Sequence, residues 1–119
     1  MIDTINILAM LATIAFGSIG WLAPRYTMDK LDLRTVNSRL GLSEIRAANG
    51  ALFVGLGVAA LVINQTLGYA MVGFAYAGAA IGRLTGIFVD HVTKSTAYIF
   101  CAVEVVLAVW LIYVNAAFG

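Results

Sequence analysis

The chain has 119 residues, of which 62% are hydrophobic and 11% charged, and its mean hydropathy is +0.97. That balance lies outside the range of soluble domains and excludes a soluble catalytic domain, while a net charge of +1 leaves no electrostatic footprint for nucleic acid. One proline and one cysteine further exclude a proline-rich linker, a disulfide framework and a cysteine-based zinc site, so the composition is that of a membrane protein.

The opening "MIDTIN" carries an acid and no Lys or Arg. It lacks the basic start of a cleavable signal peptide, and the first helix is expected to be retained. A spanning helix needs roughly 20 mainly apolar residues, and four stretches meet that need: 5–22, 44–63, 69–89 and 97–114. Each is apolar around most of its circumference, unlike the one-sided helices of a soluble bundle. The expected fold class is all-α, a single domain over residues 1–119 forming a four-transmembrane-helix bundle.

The first connection, residues 23–43, reads "APRYTMDKLDLRTVNSRLGLS" and is polar, opened by Pro24 and closed by Gly41 and Ser43. Within it Leu33, Val36 and Leu40 fall at helical spacing and predict a short interfacial helix. Ser43 is the expected N-cap of the second span, with Glu44 well placed against the helix dipole. The other links, "NQTLG" and "DHVTKST", are short, so the helices they join form antiparallel hairpins.

With four crossings, all seven basic residues (Arg25, Lys30, Arg34, Arg39, Arg46, Arg83 and Lys94) fall on one side or in its half of the bilayer. The positive-inside tendency then predicts that residues 23–43 and 90–96 are cytoplasmic and that both termini lie on the opposite side. Trp21, Tyr26 and Tyr98 lie near the basic side, and Tyr69, Trp110 and Tyr113 near the other.

Arg83 is the residue that most needs an explanation, because it stands inside the third span. In the last hairpin it lies about ten residues before the turn and Glu104 about ten after it, so the two have similar depth, on the order of 10 Å inside their helix ends. An unpaired charge there is expensive. Glu104 shares a face with Ala97, Cys101 and Ala108, and Arg83 is bordered by Ala79, Ala80, Gly82 and Gly86; small residues permit close helix contact. A buried Arg83–Glu104 ion pair follows as an expectation. The second span adds a stripe of Arg46, Asn49, Gly50, Phe53 and Gly57. The expected polar cluster is Glu44, Arg46, Asn49, Arg83 and Glu104, with Glu44 at its mouth. Helix packing is expected of Gly50, Gly55, Gly57, Gly78, Gly82 and Gly86. Such a cluster either locks helices in register or forms a head-group, anion or proton site open to the cytoplasm.

The segments "LGLSEIRAANGALFVGLG", "GAAIGRLTGIFVD" and "VEVVLAVWL" cover most of residues 40 to 112. On these the chain resembles an uncharacterised bacterial family of small four-helix integral membrane proteins, known as a domain of unknown function. The resemblance implies a four-helix fold, a bacterial inner-membrane location, and family-like positions at Glu44, Arg46, Gly50, Gly82, Arg83, Asp90 and Glu104. Asn49 departs from the pattern, where a glycine is expected.

The lone His91 falls in a turn and reads as a solvated loop residue, and Cys101 reads as a small hydrophobe within a helix. Ser18, Ser38, Ser43 and Ser95 have no base at helical or hairpin spacing. No catalytic residue, metal site or cofactor is expected. The expected role is a non-catalytic accessory or structural subunit that packs against a larger membrane protein complex or its own copies. The alternative is a small-molecule or proton-coupled carrier with a polar site near the cytoplasmic side. Small multidrug transporters have this size and four spans, but rely on a glutamate in the first helix, where this chain has only Asp3 at the end. The expected partners are the lipid bilayer and other membrane subunits or a second copy, with no nucleic acid.

Overall fold

A computed structural model describes residues 2–36 and 39–117. Every regular element among them is helical. Four helical stretches, Thr4–Leu22, Leu40–Ile63, Thr66–Val89 and Ser95–Ala116, are long and apolar enough to cross a membrane. They agree with the expected spans to within four residues at each end. The chain divides into two compact units, one built from residues 3–62 and the other from residue 63 onward.

The first unit opens with α1 (Ile2–Leu22) and the short α2 (Pro24–Lys30). The break between them is set by Pro24. The residue before a proline is pushed out of the helical region, and Ala23 has φ −128° and ψ 62°. Proline also has no N–H to donate to the carbonyl four residues back. At the far end of α2, the Asp32 N–H donates to the Asp29 carbonyl at 3.2 Å and the Leu33 N–H to the Met28 carbonyl at 2.8 Å. This is a Schellman closure, with Asp32 at φ 59° in the left-handed position that glycine usually fills.

The closure overturns the expected interfacial helix. Residues 33–36 are not helical, and the short helix lies one turn earlier, on Pro24–Lys30. Spacing alone placed Leu33 and Val36 on a face, but an aspartate that tolerates positive φ ends the helix before them. The Ser43 cap is overturned in the same way. Helix α3 (Leu40–Arg46) starts one turn before Ser43, whose own N–H already donates to the Arg39 carbonyl at 3.3 Å. Ser38 lies outside the described residues.

Helix α3 continues through a π-helical turn, Ala47–Ala51, into α4 (Leu52–Ile63). α1 meets this continuous rod backbone to backbone. A Cβ on Gly20 would fall on the Asn49 carbonyl, one on Gly50 on the Trp21 backbone, and one on Gly17 within 2.8 Å of the Gly50 oxygen. Farther along, Gly57 faces Ile14 and the Met10 carbonyl. Met10 is fully buried, and the nearby Thr13 hydroxyl donates to the Ala9 carbonyl at 2.8 Å, which removes the cost of an orphaned buried hydroxyl.

The second unit contains α5 (Thr66–Val89), α6 (Ser95–Ile112) and a terminal π-helical turn, Tyr113–Ala117. α5 and α6 form a hairpin. Gly73 lies against Leu111 and Ile112, and farther toward the link Arg83 meets Glu104, so contacts advance along α5 as they retreat along α6. Asn64 (φ 48°) and His91 (φ 55°) follow α4 and α5 in the left-handed region, and the Tyr69 hydroxyl donates to Asn64 Oδ1 at 2.8 Å. Buried Asn115 donates to the Leu111 carbonyl at 2.9 Å.

Candidate functional site

The second unit holds a side-on ion pair. Arg83 Nε donates to Glu104 Oε1 at 2.6 Å and Nη2 to Oε2 at 3.3 Å. Two parallel N–H···O bonds fix orientation as well as neutralise charge. The guanidinium carbon also lies 5.3 Å from the centroid of the Phe100 ring, one helical turn before Glu104 on the same face. Arg83 is six residues before the end of α5 at Val89, and Glu104 nine residues after the start of α6 at Ser95. At 1.5 Å per residue these are depths of about 9 and 14 Å. The pair is not sealed: the side chains keep 27% and 13% of their exposure.

The other members of the expected cluster, Glu44, Arg46 and Asn49, belong to the first unit. Arg46 is exposed and donates from Nη1 to the Trp21 carbonyl at 2.7 Å. That carbonyl lies in the last turn of α1, where unsatisfied oxygens and the helix dipole together favour a cation. Glu44 is exposed, and Asn49 is half-buried with its backbone against Gly20. Arg46 therefore answers a helix end rather than an acid. Asp90 is exposed and follows the last residue of α5, where its N–H donates to the Gly86 carbonyl at 3.0 Å.

The glycines divide sharply. Gly50 and Gly57 contact α1, whereas Gly55, Gly78 and Gly82 have no atom within 4 Å of where a Cβ would stand. The nearest atom to a Cβ on Gly86 is Oδ2 of Asp90, at 3.7 Å, in the exit of its own helix. Among the described residues the close glycine contacts lie at Gly17, Gly20, Gly50, Gly57 and Gly73, so of the expected packing glycines Gly50 and Gly57 meet a helix of their own unit, while packing at Gly55, Gly78, Gly82 and Gly86 is a matter for a neighbour outside the chain. Four-residue spacing shows that glycines share a face but not whether that face has a neighbour. The signal available for α1 was "FGSIG", whose two glycines fall three apart.

His91 is exposed at the end of α5, and Cys101 is a buried thiol. The Ser18 hydroxyl donates to the Ile14 carbonyl at 2.8 Å, and Ser43 and Ser95 are exposed. Among the described residues no group of three or more His, Cys, Asp or Glu side chains is placed to hold a metal ion. Sequence reasoning missed the Trp110 indole N–H, a buried donor with no partner among the described residues.

No curated protein and no solved structure matches this chain. A family model does, over residues 2–115, which takes in both units and every residue of the site. The chain belongs to the family described as Domain of unknown function (DUF4345).

Proposed function

We propose that this chain is a non-catalytic integral membrane component that packs against another membrane protein or a second copy through one face of α5. The observation that carries this reading is the open glycine pair. Gly78 and Gly82 are exposed in the middle of a 24-residue helix, with nothing within 4 Å of their Cβ positions. Mid-helix glycine costs about 1 kcal/mol relative to alanine, and among the described residues no neighbouring element makes a close approach that offsets that cost. Small residues at this spacing gain their value when a second backbone approaches. Met71, Phe74 and Ile81 fall on the same stripe and are 68%, 59% and 65% exposed, so a partner helix has large side chains to pack beside the glycine notch.

The test is purification from native membranes in mild detergent. Companion subunits or a stable homo-oligomer, lost when Gly78 and Gly82 are both changed to leucine, support the reading. A wild-type chain that runs alone and monomeric contradicts it. In the proposed orientation, within a bacterial inner membrane, residues 23–43 and 90–96 are cytoplasmic and the ion pair lies in the inner-leaflet half.

One observation favours a second reading, a carrier. The Arg83–Glu104 pair is part-exposed at a depth where ionisable groups often mark ion or solute pathways. Glu104→Gln then abolishes substrate movement, and unchanged uptake or resistance removes Glu104 as a coupling group.

A further inference from the structure

The span Leu40–Ile63 is one rod but not one regular helix, because the turn Ala47–Ala51 separates α3 from α4. Hydrogen bonds in a π-helix join residues i and i+5 instead of i and i+4, so this turn takes in one residue more than an α-helical turn. One residue corresponds to about 100° of rotation at 3.6 residues per turn. With Gly57 of α4 held against Ile14 and the Met10 carbonyl, the extra residue sets which face α3 and the turn show to α1.

In the π register that face docks on a single turn of α1. Gly50 meets the Trp21 backbone, the Asn49 carbonyl meets Gly20, and the Gly50 carbonyl lies against Gly17. Arg46 Nη1 reaches the Trp21 carbonyl at 2.7 Å. A shift by one residue would bring Asn49 or Ala51 to the place of Gly50, and the Cβ of either would collide with the Trp21 backbone. Docking on α1 and an unbroken α-helix are therefore mutually exclusive.

Local preference runs against the register that packing selects. Ala47, Ala48 and Ala51 are of the residue type that most favours an α-helix. The Asn49 side chain does not hold the turn, since it is half-buried and makes no hydrogen bond among the described residues. What holds the turn is backbone contact with α1 and one bond from an exposed arginine.

We propose that residues 47–51 form a two-position register switch. In the first position the turn is π-helical, residues 17–21 of α1 are docked and Arg46 latches the Trp21 carbonyl. In the second the rod is α-helical throughout, α3 is turned about its axis and the latch is open. Whatever draws the Arg46 guanidinium away from Trp21 biases the switch toward the second position. The device lies wholly within the first unit and relies neither on a protein partner nor on the ion pair.

The test uses the full chain in lipid nanodiscs, carrying Cys101→Ser and spin labels on Phe16→Cys and Leu40→Cys, two exposed positions on α1 and α3. Pulsed electron spin resonance reads the distance between the labels. The parent chain is expected to give one main distance and one minor distance. Deleting Ala48 removes the extra residue and leaves the minor distance alone. Arg46→Gln raises the minor population about tenfold, the size of one charge-assisted hydrogen bond. Arg46→Lys, which keeps the charge and a donor, raises it less. A deletion variant that keeps the main distance, or that loses its helices by circular dichroism, means that the rod has no second position and overturns the proposal. So does an Arg46→Gln variant with the distance distribution of the parent.

Discussion

Arg46 in the first unit and Arg83 in the second both lie on helices long and apolar enough to span a membrane, each six residues from a helix end, yet they are neutralised differently. Arg46 is exposed and reaches the last turn of α1, where the Trp21 carbonyl accepts a hydrogen bond from its guanidinium. Arg83 is tied to a carboxylate on the neighbouring helix. A long side chain that can extend to a helix C-terminus meets carbonyl dipoles and needs no acid. A guanidinium held at depth between two helices needs a full counter-charge, because hydrocarbon offers no other acceptor. The position of the arginine along its helix is thus a poorer guide to its partner than what stands within reach of its tip.

The largest effect expected from breaking this contrast is at the ion pair. Arg83→Ala or Glu104→Ala leaves an unpaired charge and lowers stability by about 3 to 5 kcal/mol, measured as unfolding in detergent. Retention of near-full stability in either variant removes the distinction between the two arginines. Next come the glycine contacts. Gly20→Ala and Gly50→Ala place a methyl group on facing backbone and cost about 1 to 3 kcal/mol. Gly55→Ala and Gly82→Ala, with open space around them, raise the stability of the isolated chain by up to about 1 kcal/mol. Under the proposed packing of α5, that gain at Gly82 is opposed by weaker association, which separates its role from that of Gly55.

Arg46→Gln comes third, at about 1 to 2 kcal/mol, because it removes a charged donor from one carbonyl at a helix end. Arg46→Lys retains most of that stability, whereas lysine at position 83 does not, since the side-on geometry needs a planar fork. The smallest change sharpens the account of the connection. Asp32→Gly relieves a left-handed residue and stabilises by about 1 kcal/mol or less, with α2 unchanged in nuclear magnetic resonance shifts.

The four apolar stretches were readable from the sequence because roughly 20 apolar residues per span is a coarse, length-based signal that does not depend on packing. The Arg83–Glu104 contact follows from a short hairpin link, which fixes register by counting outward from the turn. The connection of residues 23–43 was misread where a single backbone angle decides. Leu33, Val36 and Leu40 had the spacing of a helix, but Asp32 at positive φ ended α2 first. The glycines show the same limit in packing. "GAAIGRLTG" has the more regular spacing, yet the backbone contact forms at Gly17, Gly20 and Gly50 around a π-helical turn that no residue pattern announces. Hydrophobic length and hairpin register are local properties; which faces meet is a property of the pair.

The most direct test of the account is a charge swap at the ion pair. Arg83→Glu and Glu104→Arg are each made alone and then together, and unfolding in detergent is measured for all three against the wild type. Because the two side chains touch, each single reversal sets like charges face to face and is strongly destabilising, while the double reversal restores much of the loss. A double variant whose loss equals the sum of the two single losses contradicts a direct Arg83–Glu104 contact and with it the central claim.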